Sequence, residues 1–168
     1  GSNKAIDTNL DLATLNHLNC SLGFYTTQAE GTASAETLGG IVTGQRFQVS
    51  SNTATNKTLA IGGSVAVAVS ETKAGFSGAS KWGGSDGQGV SRYGGSSYGI
   101  NMSGSAFSTY SLKVFRSNTT SAYTTARIAW YHFAAAVEPL ALERRLKQYL
   151  HEISGNIRNG FPLSRLVN

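Results

Sequence analysis

Residues 125–153 read TARIAWYHFAAAVEPLALERRLKQYLHEI, and this stretch decides the fold. Its first half alternates: Ile128, Trp130 and His132 against Arg127, Ala129, Tyr131 and Phe133. That is the period of two that a β-strand imposes on its side chains. Both sets are bulky, so the strand should lie between two layers, with Trp130 in the core. The second half changes period. Leu142, Leu146, Tyr149, Leu150 and Ile153 fall on one face of a 3.6-residue repeat, and Glu143, Arg144, Lys147, Gln148 and Glu152 take the other. Pro139 suits a first helical turn, where its missing N–H would be unpaired anyway. Glu138 suits the positive end of the helix dipole. Gly155 reads as a stop just past the helix. The pattern predicts one amphipathic helix over about 138–153, and it is the only strong helical pattern in the chain.

Everything upstream reads as strands and turns. Residues 3–18 give an edge strand followed by a loop, and 19–27 give a strand. Short strands follow at 38–42 and 46–50, broken at Gly44. Residues 57–61 and 64–69 form a hairpin across Gly62-Gly63, a dipeptide that permits the positive φ of a tight turn. Residues 75–104 hold half of the chain's 20 glycines, with Phe76, Trp82, Tyr93 and Tyr98 spaced among them. This stretch reads as flexible, glycine-spaced loops, crossed by short strands near 90–93 and 97–102. Residues 110–116 alternate again, and 118–121 form a turn cluster. Many short strands with frequent turns point to a sandwich or barrel rather than βαβ units.

The chain has 168 residues, of which 40% are hydrophobic and 14% charged. That is one domain with enough apolar material for a core, and it excludes a disordered chain. Residues 3–154 form the domain and 155–168 a tail; Gly1-Ser2 has the look of a cloning remnant. The low charge suits surface β-domains with neutral polar loops. The net charge of +5 raises a nucleic-acid reading. Yet Arg144, Arg145, Lys147, Arg158 and Arg165 gather at the C-terminal end, and no basic surface interleaved with aromatics is evident. The expectation is no nucleic-acid partner. No apolar run approaches ~18 residues, so no membrane insertion is expected. The single cysteine, Cys20, can form no internal disulfide and reads as an inert core thiol.

With these elements in place, the chain resembles concanavalin A-like (laminin-G-like) jelly-roll domains. The resemblance rests on Ala126-Arg127-Ile128-Ala129-Trp130-Tyr131, then Ala135, Val137, Leu140, Leu142 and Glu143 leading into the helix. Near the start, Ile6-Asp7-Thr8-Asn9 and the strand Leu22-Gly23-Phe24-Tyr25 resemble bacteriophage members found in tail fibres, tailspikes and other virion proteins. The implied fold is all-β, a jelly-roll β-sandwich with one C-terminal amphipathic helix. The implied location is the virion or an extracellular surface. The implied partners are a cell-surface glycan or host receptor and other virion subunits, with a homotrimer as the common fibre assembly.

Hydrolases of this fold carry paired carboxylates on one strand. Here Asp7, Asp11, Glu30, Glu36, Glu71, Asp86, Glu138, Glu143 and Glu152 show no such pair, so no catalytic residue is assigned. His17, His132 and His151 accompany no G-x-S-x-G elbow. No cluster of carboxylates suggests calcium, so neither a metal nor another cofactor is expected. Sugar recognition needs a ring face for stacking and a few planar polar groups. Trp82, Asp86, Arg92, Tyr93, Tyr98 and Asn101 supply these and form the candidate ligand site. Two readings compete with it. In one, Trp82 and Tyr98 only pack the sandwich edge and the domain is an assembly module. In the other, the chain is a divergent glycoside hydrolase.

Overall fold

Cys20, Leu22, Phe24 and Thr26 are almost fully buried, and their strand, Asn19–Gln28, supplies the middle of the core. The computed structural model describes residues 5–28, 37–41, 46–53, 56–62, 67–69, 74–82, 88–93, 96–101, 106–107, 109–116 and 124–158. In chain order its strands are β1 (Ile6–Asp11), β2 (Asn19–Gln28), β3 (Thr37–Ile41), β4 (Arg46–Thr53), β5 (Asn56–Gly62) and β6 (Val67–Val69). There follow β7 (Gly75–Trp82), β8 (Gln88–Tyr93), β9 (Ser96–Asn101), β10 (Ser111–Val114), β11 (Arg127–Ala134) and the helix α1 (Pro139–Arg158).

The strands form two antiparallel sheets. One has the order β1-β10-β3-β4-β5-β6 and the other β11-β2-β7-β8-β9. Leu59, Ile61, Leu112 and Val114 of the first sheet share one buried cluster with Cys20, Leu22, Phe24 and Ala79 of the second. The core therefore lies between the sheets. The protein is mostly β-structure with one C-terminal helix, as the sequence predicts.

β1 is an edge strand, paired to β10 alone among the described residues. Its register shifts between Asp7 and Asp11, where Asn9 adopts φ 54. Asparagine tolerates this left-handed conformation better than most residues, and the Asp7 carboxylate accepts the Asn9 N–H at 3.0 Å. Asp11 then caps the short 3-10 turn Leu12–Thr14, accepting the Ala13 N–H at 3.0 Å. Leu12 is fully buried, so the turn pins the crossing from one sheet to the other. β5 and β6 pair antiparallel as the predicted hairpin. The turn at its tip, Gly44 and the turn cluster at 118–121 lie outside the described residues.

The strands expected near 90–93 and 97–102 of the glycine-rich stretch are β8 and β9, but the start of the stretch departs from the sequence reading. It contains β7, a central strand buried from Phe76 to Lys81, flanked by β2 and β8. Glycine weakens an isolated strand but marks sites of close approach within a sheet. Here the Phe76 ring lies over the backbone. A Cβ at Gly78 would meet it at 2.6 Å, and one at Gly23 would meet Phe76 at 3.2 Å and Trp130 at 3.3 Å. The two glycines leave room for two aromatic rings, which cover the sheet in place of side chains.

Trp130 is a second correction, because it stands outside the core. β11 pairs with β2 in a register that shifts between Ile128 and Trp130. Ile128 is opposite Thr26 and packs against the core, whereas Trp130 is opposite Tyr25 on the outer face, tilted against Phe76 at 6.2 Å. A bulge inserts one residue into the strand, so the parity that the sequence suggests fails there. Among the described residues β11 is the edge strand of its sheet, paired with β2.

α1 begins as predicted and ends later. Glu138 accepts the Leu140 N–H at 3.0 Å and the Ala141 N–H at 2.5 Å, one on each carboxylate oxygen. It satisfies two of the donors that every helix start leaves open. Gly155 does not end the helix, which runs on to Arg158. The covered stripe is also rotated from the predicted one. Pro139, Glu143 and Leu146 are buried, Leu150 and Ile153 half-buried, and Tyr149 is 52% exposed. Glu143 forms an ion pair with Lys147, one turn on, at 2.6 Å.

Candidate functional site

Inter-strand register settles which site positions share a face. Trp82 is opposite Asn19 on β2 and Gln88 on β8, and Gln88 is opposite Asn101 on β9. Residues directly opposite one another lie on the same face. Trp82, Gln88 and Asn101 therefore make one cross-strand row, roughly 10 Å long at the usual strand spacing. The row belongs to the outer face, with Phe76, Gly78 and Ser80 of the same strand. Arg92 is opposite Gly78 and shares that face, ~13 Å from Gln88 along β8.

Tyr93 and Tyr98 occupy the other face. Tyr93 is opposite Ser77, and Ser77 is opposite Phe24 of the core. Tyr98 is opposite Ser91, which shares Tyr93's parity. Of the six candidate residues, the fold brings Trp82, Arg92 and Asn101 to one face and sets Tyr93 and Tyr98 on the reverse. Asp86 lies outside the described residues. Trp82 is 42% exposed, although every residue before it in β7 from Phe76 on is buried. Trp82 is thus the exposed end of a buried central strand.

The outer face is partly roofed. After β11 the chain crosses it: Ser21 donates its hydroxyl to the Ala135 carbonyl at 2.8 Å, and the Ala136 N–H donates to Asn19 Oδ1 at 3.0 Å. Asn19 is the register partner of Trp82, so the lead-in to α1 passes beside the row. The helix then lies against β7 and β8. Phe76 and Leu146, both buried, lie outside the main core cluster and belong to this second packing layer. Ser80 Oγ is buried there and has no hydrogen-bond partner among the described residues.

A serine and a histidine also meet on this face. His132 Nε2 lies 2.9 Å from Ser21 Oγ, the separation a nucleophile and its base would have. The hydrogen-bond directions oppose that role. Ser21 has one hydroxyl proton, and the Ala135 carbonyl can only accept it, so His132 must donate its Nε2 proton to Ser21. A base that donates to the hydroxyl cannot remove its proton. Ser21 is also 1% exposed, out of reach of a substrate. Trp130 stacks on the imidazole at 5.7 Å and 13°, and burial lowers the His132 pKa below its ordinary value. The pair ties β11 to β2.

Cys20 is fully buried in the core, and burial pushes its thiol up to about 12 against the opposing charge of Lys81, its register partner. A thiol so protonated is unreactive. Lys81 is fully buried on this inner face, although lysine is rarely fully buried in folded proteins. Asp7 accepts hydrogen bonds from Ser111 Oγ and the Asn9 N–H, which hold its carboxyl below the ordinary range. Among the described residues no group of three His, Cys, Asp or Glu side chains could hold a metal ion. No described helix is long and apolar enough to cross a membrane.

No family model, curated protein or solved structure matches this chain.

Proposed function

We propose that this chain is a non-enzymatic carbohydrate- or receptor-binding domain of a phage virion protein, with a concanavalin A-like jelly-roll sandwich as its fold. Strand order supports the fold. The crossings β1 to β2 and β10 to β11 connect the same two sheets, and each end of the chain pairs with the other: β1 with β10, β2 with β11. The resemblance of the β11–α1 and β1 runs to virion domains supports the setting.

One observation carries the binding role: the exposed indole of Trp82 in a row with Gln88 and Asn101. Stacking of a sugar ring on an indole, flanked by amide positions that can bond hydroxyls, is the usual chemistry of glycan recognition. A glycan array with the wild-type protein and Trp82→Ala tests it. The expected result is binding to a defined glycan class by the wild type, lost in the variant, with thermal stability unchanged. Binding to no glycan or host surface sinks the reading and leaves the assembly module, which the exposed edge of β11 favours. Hydrolysis of a polysaccharide, abolished by changing one carboxylate, would favour the hydrolase instead.

A further inference from the structure

Among the described residues, three edge strands of the two sheets are guarded or short, and the fourth is not. β1 is interrupted by its irregular register and by Asn9, and carries Asp7 and Asp11. β6 spans three residues. β9 has Gly99 in its interior, which weakens a strand as a pairing template. β11 runs for eight residues, and β2 alone pairs with it among the described residues. Its bulge affects only the first part. From Trp130 to Ala134 the register against β2 is regular, and the run holds no lysine, acid, proline or glycine. Natural proteins blunt open edges with such residues, because the unpaired backbone groups of a bare edge template another strand.

We propose that β11 pairs with β11 of a second copy of this chain, antiparallel about a two-fold axis beside His132. This goes beyond the binding role and does not depend on it. An antiparallel edge is self-complementary: each copy offers the same donors and acceptors in reverse order, and a two-fold interface uses one patch twice. In this register Tyr131 meets Phe133 of the copy, and Trp130 meets Ala134 of the copy. The rings of Tyr131 and Phe133 already lie 5.7 Å apart in one chain, and Tyr131 is 44% exposed. The copy extends this pair into a four-ring cluster and covers the exposed phenol. Arg127, the only formal charge on β11, lies outside the regular run, so no like charges are brought opposite one another.

Light scattering over a micromolar to near-millimolar concentration series tests the proposal. The wild type should approach twice the monomer mass. Tyr131→Lys should weaken dimerisation on the order of tenfold or more, as expected for two like charges set into one paired edge. Ile6→Lys, at a position 45% exposed on β1, should leave the dimer intact. Far-UV circular dichroism confirms that each variant is folded, and a folded Tyr131→Lys dimer of wild-type affinity overturns the proposal. Hydrogen exchange gives a second readout: amides of 130–134 should gain protection with concentration, with other edges unchanged. A wild type that stays monomeric throughout, a trimer, or concentration-dependent protection at another edge each refutes it.

Discussion

Replacing Gly78 with alanine tests the packing of the outer face. The added Cβ would meet Phe76 Cζ at 2.6 Å, Phe76 Cε1 at 2.9 Å and the Leu22 carbonyl oxygen at 3.1 Å. Phe76 is 2% exposed and tilts against Trp130, so its ring has little freedom to retreat. Overpacking of this kind costs about 1–3 kcal/mol. Removing glycine from a strand offsets roughly 0.5–1 kcal/mol through the unfolded chain. The net expectation is a loss of about 1–2 kcal/mol, or roughly 2–8 °C in Tm for a domain of this size. Urea unfolding followed by indole fluorescence reads it, since Trp130 borders the affected ring. The decisive comparison is the same substitution in a Phe76→Ala background. There the two closest contacts are gone, the Leu22 carbonyl alone remaining of the nearest three atoms, and most of the cost should vanish. An equal cost in both backgrounds would show that the ring is not what the glycine accommodates, and the reasoning would fail.

Other outcomes follow from single contacts. Glu138→Ala removes both cap bonds at the start of α1 and should cost about 0.5–2 kcal/mol, with faster amide exchange confined to Leu140 and Ala141. The His132 pKa is lowered in the folded state, so the unfolded chain binds the proton more readily. Stability should therefore be full above the ordinary imidazole pKa of ~6.5 and fall as pH drops from there toward the folded value. Urea midpoints between pH 7.5 and pH 5 (on the order of the histidine range) should show this slope, and His132→Gln should lessen it. Native protein at mildly alkaline pH should leave Cys20 untouched by a thiol-specific disulfide reagent, with one equivalent reacting only after denaturation; prompt labelling would contradict its burial.

The sequence revealed most where one physical pattern acted alone. β2 alternates without interruption, and its alternation became the core. Glu138 and Pro139 marked the start of α1 because a helix start has fixed needs for acceptors and for a missing donor. Where a neighbouring strand or ring sets the outcome, the local pattern misleads. β7 reads as loop because glycines are spaced through its stretch, whereas the rings beside the glycines, Phe76 and Trp130, come from its own strand and from β11. Simple alternation puts Trp130 in the core, but a bulge that only the pairing with β2 shows turns it to the outer face. The helical period puts Glu143 on the polar face, but the helix is rotated so that Glu143 is buried and Tyr149 exposed. The candidate site suffered likewise. Proximity in sequence grouped Trp82, Arg92, Tyr93, Tyr98 and Asn101, whereas inter-strand register, which the chain does not state locally, divides them between faces.

The most direct test of glycan recognition at Trp82 uses the chain's two tryptophans. With Trp130→Phe, Trp82 is the sole indole, and titration with the glycan selected by the array should give a saturable change in its emission. With Trp82→Phe instead, Trp130 should report no change and affinity should fall. Undiminished affinity in Trp82→Ala, with a silent Trp82 signal in the other variant, would contradict the account.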